Sequence, residues 1–341
     1  MNTPIQDLLR ISFSLLPVFF FLLGLILIDS YKLVKLQAVL ISIIAGCGAA
    51  LGSFLINSSM LDFLAIEFKT YSRYCAPIVE ESLKAAFLIY LIRKNKMGFT
   101  VDTAIHGFAI GAGFAFLENI YYLRAMSDAT LMTWIIRGFG TAVMHGGVTA
   151  IFGIIAKSFH DQQSSIKYFA ILPAFVLAIG IHSLFNHFFL TPLQSTLLLL
   201  FVFPIIISLV YSQSEKSTQN WLGVGFDTDQ ELLELITSGN LSETKIGRYL
   251  HSLRDKFPGE IVVDMLCFLR IHLELSIRAK GILMMQESGF KPAPDPEIKA
   301  KFKELKYLEK SIGPIGHLAI LPFMHTSNRN LWQLHMLGGN K

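Results

Sequence analysis

Seven stretches of the chain are almost continuously apolar, near residues 11–28, 37–56, 76–92, 100–122, 132–156, 168–189 and 193–211. A bilayer core takes roughly 20 apolar residues in a helix, so each reads as a membrane span, the one at 76–92 being short. After Tyr211 the pattern changes to one-sided helical spacing, clearest at Ile261, Met265, Phe268, Leu269, His272 and Leu275. The spacing predicts an all-α protein: a polytopic bundle of about seven transmembrane helices over 1–211, and a small, soluble helical domain over 212–341.

Composition supports the division. Hydrophobic residues make up 52% of the 341 and charged residues 16%, a balance rare in soluble proteins. Residues 1–211 hold 13 basic and 10 acidic residues, against 16 and 15 in the shorter remainder. The net charge of +4 comes with no basic stripe, which argues against nucleic acid as a partner. Cys47, Cys75 and Cys267 lie in separate segments and form no disulfide or metal spacing. The run Ile11 to Ile28 is followed by Asp29-Ser30-Tyr31 rather than a small-residue cleavage site, so it reads as a first span and not as a cleaved leader.

Loop charges orient the spans. Lys32 and Lys35, then Arg93, Lys94 and Lys96, then Lys157 and Lys167, and finally Lys216, fall on one side. The opposite loops hold Arg10, Lys69 and Arg73 offset by Asp62 and Glu67, and Arg124 offset by Asp128. The expected topology has an external N-terminus and a cytosolic C-terminal domain.

Ionisable groups inside spans are costly and usually mark function. Glu80, Glu81 and Lys84 open the third span, Glu118 and Asn119 close the fourth, His145 lies in the outer half of the fifth, and His182, Asn186 and His187 end the sixth. At 1.5 Å per residue all fall within about 5 to 18 Å of the external ends. Glu80 and Lys84 share a helix face and can pair, while Glu81 points about 100° away, so the two carboxylates cannot aim at one atom. His182 and Asn186 also share a face. Gly107, Gly111 and Gly113, and Gly146 and Gly147 beside His145, offer narrow faces for close helix contact.

Each residue taken singly has a plainer reading. A Glu–Lys pair can be a structural ion pair, and a lone intramembrane His a packing residue. His106, His160 and His187 suit the interface, and Asp102 suits a helix cap or the headgroups. The coincidence of carboxylates, imidazoles, an ammonium and amides at one depth favours chemistry. Peptide hydrolysis needs water, a base and oxyanion stabilisation. Glu80 or Glu81 can activate water, His145 and His182 can donate protons, Asn119 or Asn186 can orient an imidazole or bind the oxyanion, and Lys84 can hold a glutamate ionised. A divalent metal such as zinc, held by Glu118, His145 and His182, is the other use of the set, although no HExxH is present.

Glu80-Glu81-Ser-Leu-Lys84 resembles the E-E-x-x-K motif of the PrsW-type intramembrane proteases. Phe114-Ala-Phe116-Leu-Glu118-Asn119 resembles their F-x-x-x-E-N element, His145 their third-motif histidine, and His182-Ser-Leu-Phe-Asn186 their H-x-x-x-N element. The family is similar in turn to the CAAX-type prenyl endopeptidases. The resemblance covers roughly residues 70–190. It implies a membrane-embedded peptidase with Glu80, Glu81, Glu118, His145 and His182 as catalytic residues and Lys84, Asn119 and Asn186 in support. It further implies external, site-1-type cleavage of a membrane-tethered protein, such as an anti-sigma factor, in a bacterial cytoplasmic membrane. Whether a metal takes part is left open by the resemblance. Two functions of other classes compete: a proton- or ion-coupled transporter using the buried charges as a relay, and a non-catalytic scaffold reporting through its cytosolic domain. A single polar layer and the lack of a two-halved repeat weigh against transport.

The C-terminal stretch predicts helices at Gln230–Ile236, Ser242–Phe257, Gly259–Met285 and Glu297–Lys310, with Ser242 as an N-cap and a stiff connector at Lys291–Pro296. The apolar run Ile315–Phe323 suits packing on the domain or the membrane surface. His251, His272, His317, His325 and His335 are scattered and carry no metal signature. A cytosolic partner is a further expectation for this domain.

Overall fold

A computed structural model describes residues 4–29, 34–126, 128–162, 168–239, 244–290, 295–324 and 337. All regular structure among them is helical, and the chain forms two compact units, Met1–Ser214 and Glu215–Lys341. Lys32, Lys167, Ser242, the first part of the Lys291–Pro296 connector, His325 and His335 lie outside the described residues.

The first unit runs α1 (Pro4–Leu15), α2 (Pro17–Ile28), α3 (Leu36–Leu64), α4 (Phe68–Tyr74), α5 (Ala76–Arg93), α6 (Thr100–Ala125), α7 (Leu131–Ile136), α8 (Ala142–Gln162), α9 (Tyr168–His187) and the first part of α10 (Pro192–Thr237). A π-helical turn, Arg137–Thr141, joins α7 to α8. Pro17 cannot donate to the preceding turn, and α1 meets α2 at a bend of 42°.

Among the described residues, four helical segments are long and apolar enough to cross a membrane: α3, α6, Leu131–His160 and Pro192–Ser214, with the bent α1–α2 pair as a fifth. The expected spans at 76–92 and 168–189 are outside that set, for a physical reason. Helix α5 carries Glu80, Glu81, Lys84 and Arg93 within 18 residues, and the described apolar part of the other is only Ile171–His187. The two helices that fail on apolar length or charge are two of those that supply the polar layer.

Helix α6 is the axis of the bundle: 83% of its apolar window is buried, against 22% for α3 and 17% for Pro192–Ser214. Glycines allow its close packing. A Cβ on Gly111 would collide with the backbone of His145 and Gly146, one on Gly107 with Thr149 and Ala150, and one on Gly113 with Ile43 of α3. Gly146 and Gly147 make room instead for the rings of Phe108 and Phe203. Leu40, Ile44, Leu55, Leu198, Phe201 and Leu209 stay exposed on the outer helices, the pattern of a surface bathed in lipid.

Asp102 accepts hydrogen bonds from the Gly98 and Phe99 amides at 2.8 and 3.1 Å, so it caps α6 with its side chain buried in the protein. His106, expected at the interface, is buried against Ser42 Oγ at 2.8 Å. His160 is buried as well.

In the second unit, α11 (Lys245–Ser252), α12 (Gly259–Glu287) and α13 (Pro296–Ile320) pack around Met265, Phe268, Leu269, Leu275 and Leu305. Thr244 caps α11 by accepting from the Gly247 amide at 3.0 Å. Gly313, at φ 65°, kinks α13 before Pro314. Beyond the kink Ile320 is buried and Ile315 and Leu318 are exposed, so the apolar end packs by one face only.

Candidate active site

The N-terminal turns of α5 place Glu80 and Glu81 beside the last turns of α9, and His182 reaches both. Its Nδ1 lies 2.7 Å from Glu81 Oε1 and its Nε2 3.8 Å from Glu80 Oε2. The two carboxylates thus meet opposite sides of one ring rather than one atom. Lys84, fully buried, pairs with Glu81 at 2.5 Å and not with Glu80. In α5 the i,i+3 partner is the closer one, which corrects the expected i,i+4 pair.

Lys84 Nζ also lies 3.1 Å from His145 Nδ1 and 4.6 Å from the Phe114 ring centroid. An ammonium only donates, so His145 accepts at Nδ1 and its Nε2–H donates to Glu118 Oε2 at 3.1 Å. The His145 and His182 rings meet edge to face with centroids 4.9 Å apart. Glu80, Glu81, Glu118, His145, His182 and Lys84 therefore form one cluster drawn from four helices. Three carboxylates face Lys84 in it, with the Arg137 guanidinium beside Glu118 as the second cation, an excess of negative charge that suits a bound cation.

Asn119 and Asn186 are close to the cluster but bonded elsewhere. Asn186 Nδ2 donates to the Ser72 carbonyl at 2.9 Å, tying α9 to α4. Asn119 Nδ2 donates to the Ser14 carbonyl at 2.8 Å, and its Oδ1 accepts from Arg137 Nε at 2.9 Å. His187 donates within α9 to Ser183 O at 2.7 Å and contacts the Tyr74 ring, away from the cluster.

Arg137 is a participant that the motif reading passed over. Its Nη2 lies 3.4 Å from Glu118 Oε1, and its guanidinium sits 3.8 Å over the Tyr122 ring. An arginine inside an otherwise apolar stretch was the available signal. Arg137 starts the π-helical turn, a distortion common at functional sites, and Gly138 in that turn lets α1 approach at Phe13.

One ligand atom each from Glu80, His145 and His182 lies within 4.8 Å of the others. This set fits a divalent metal: a carboxylate and two imidazoles are ordinary zinc donors, and His182 offers Nε2 while Glu81 anchors its Nδ1. His145 can offer a ring nitrogen by exchanging its contact with Lys84 or Glu118. The expected metal set named Glu118 where the geometry groups Glu80; Glu118 is instead held between His145 and Arg137.

Comparison with known families matches residues 35–210 to the PrsW family intramembrane metalloprotease. No curated protein and no solved structure matches the chain. The family match takes in more than half of the chain and every residue of the cluster. The chain thus belongs to the PrsW family of intramembrane metalloproteases, and is a membrane-embedded peptidase.

Proposed function

We propose that the chain hydrolyses a peptide bond of a membrane-tethered protein next to the external face of a bacterial cytoplasmic membrane. In this reading α5 and α9 complete a seven-span bundle, residues 1–211 are the protease domain and 212–341 a cytosolic domain. The observation that carries it is the grouping of Glu80, His145 and His182 within 4.8 Å, with Glu81 and Glu118 bonded to the two imidazoles.

Glu80, His145 and His182 would hold the metal, whose chemistry is to acidify a water and polarise a carbonyl oxygen. Glu81, locked by Lys84 and His182, orients the His182 ring. Glu118 is the most open of the three glutamates, with 26% of its side chain exposed against 16% for Glu80 and 2% for Glu81. It accepts the proton of the attacking water and passes it to the leaving nitrogen as the C–N bond breaks, which leaves a carboxylate and an amine. Arg137 and His145 hold its two oxygens in place. Lys84 pairs with Glu81 and Arg137 with Glu118, a static arrangement that supports hydrolysis over ion relay.

Sidedness tests this reading. In proteoliposomes, a single-span reporter with its juxtamembrane segment on the N-terminal side of the enzyme is expected to be cut, and one reversed in the bilayer is expected to stay intact. Equal cutting of both, or of neither, would overturn it.

A further inference from the structure

Glu80 has a second polar neighbour that lies outside the cluster. Asn57 Nδ2 of α3 donates to Glu80 Oε1 at 3.4 Å, while Asn57 Oδ1 accepts from the Tyr71 hydroxyl of α4 at 2.9 Å. Tyr71 is only 2% exposed, the one buried residue of a seven-residue helix. Helix α3 ends at Ala65, which adopts φ 50° without being glycine. A left-handed alanine costs about 1–2 kcal/mol and persists only where its surroundings hold it.

The surroundings here are bonds to the site helix. Ser183 Oγ donates to the Arg73 carbonyl at 2.7 Å, Asn186 donates to the Ser72 carbonyl at 2.9 Å, and Arg73 Nη2 donates to the His187 carbonyl at 3.3 Å. Helix α4 is thereby fastened to α9 beyond His182, and Tyr71 projects from it toward α3. A carboxylate only accepts, so the Asn57 NH2 faces Glu80, which leaves its Oδ1 to accept from the Tyr71 hydroxyl. Glu80 Oε2 faces His182 and Oε1 faces Asn57.

We infer that Tyr71 and Asn57 are positioning residues that orient the Glu80 carboxylate for metal binding, with α4 as the strap that fixes them to α9. This rests on the proposed ligand role of Glu80. Groups that hydrogen-bond a ligating carboxylate typically change metal affinity or activity by about 10- to 100-fold when removed.

The test uses the full chain in detergent with zinc as the probe. Zinc affinity is measured by competition with a chromogenic chelator, alongside kcat and KM on a tethered reporter. Asn57→Leu, close in size, is expected to weaken zinc about tenfold and lower kcat about tenfold with KM within about twofold. Tyr71→Phe, which removes only the hydroxyl, should move both in the same direction by a smaller factor. Because Tyr71→Phe keeps the buried ring, it separates positioning from packing if Asn57→Leu fails to fold. Wild-type zinc affinity and kcat in both variants, or in Tyr71→Phe where Asn57→Leu does not fold, would overturn the relay and leave the ligand role of Glu80 standing. A wild-type chain that neither binds zinc nor cleaves would overturn that role and the relay with it.

Discussion

Glu81 and His182, 101 positions apart in sequence, are joined by a 2.7 Å hydrogen bond between Oε1 and Nδ1 in the interior of the bundle. A carboxylate accepts only, so Nδ1 carries a proton toward Glu81, and Nε2, which faces Glu80, is the nitrogen that would meet a metal. Glu81 thereby orients a histidine proposed to bind metal. Glu81→Gln keeps the size of the side chain but can present an NH2 to the ring and loses its charge. Zinc affinity is expected to fall about 10- to 100-fold, measured by chelator competition on purified protein. Unchanged affinity would assign Glu81 a packing role only.

Lys84 has the opposite stake in the same carboxylate. With Lys84 fully buried and Glu81 2% exposed, deleting the ammonium leaves a buried charge uncompensated. Lys84→Met should lower unfolding stability by about 3–5 kcal/mol. Lys84→Met with Glu81→Gln should recover part of that loss, because both charges are gone. Thermal unfolding in detergent checks the pair; additive losses would contradict the coupling.

The second unit carries its own acid sensitivity. Burial pushes His272 down to about 4 from 6.5, with Asp229 pulling it up and His317 and Lys280 adding to the depression. An unfolded chain takes up the proton near 6.5, and the folded one only near 4. Stability from this group is therefore intact above pH 6.5 and is lost as pH falls toward 4, by up to about 1.4 kcal/mol per pH unit. Calorimetry of the full chain over that range should show the decline, with a shallower slope in His272→Leu. Equal slopes would remove His272 as the cause.

Much of the site is legible in the sequence because membrane spans make ionisable residues conspicuous. Glu80, Glu81, Glu118, His145 and His182 stand out against apolar neighbours, and the structure brings all five together. Pairing is less legible. Helical spacing allows Lys84 either glutamate, and only the position of His145 and Phe114 opposite Lys84 decides for Glu81. The amides mislead for a related reason: Asn119 and Asn186 lie on the right helices, yet backbone carbonyls of α1 and α4 claim them. Arg137, Asn57 and Tyr71 belong to no spaced motif, so their roles come only from tertiary contact. Span counting meets the same limit. The charges that build the site lower the apolar content of α5, and the count by length and composition stops at four or five.

As proposed, hydrolysis by this cluster requires a metal held by Glu80, His145 and His182. Zinc content and reporter cleavage should be measured together on the purified chain, before and after chelation, and on Glu80→Gln and His182→Ala. The expected result is about one zinc per active chain, cleavage lost on chelation and restored by zinc, and neither zinc nor cleavage in the two variants. Full cleavage by the metal-stripped chain, or by either variant, would contradict it.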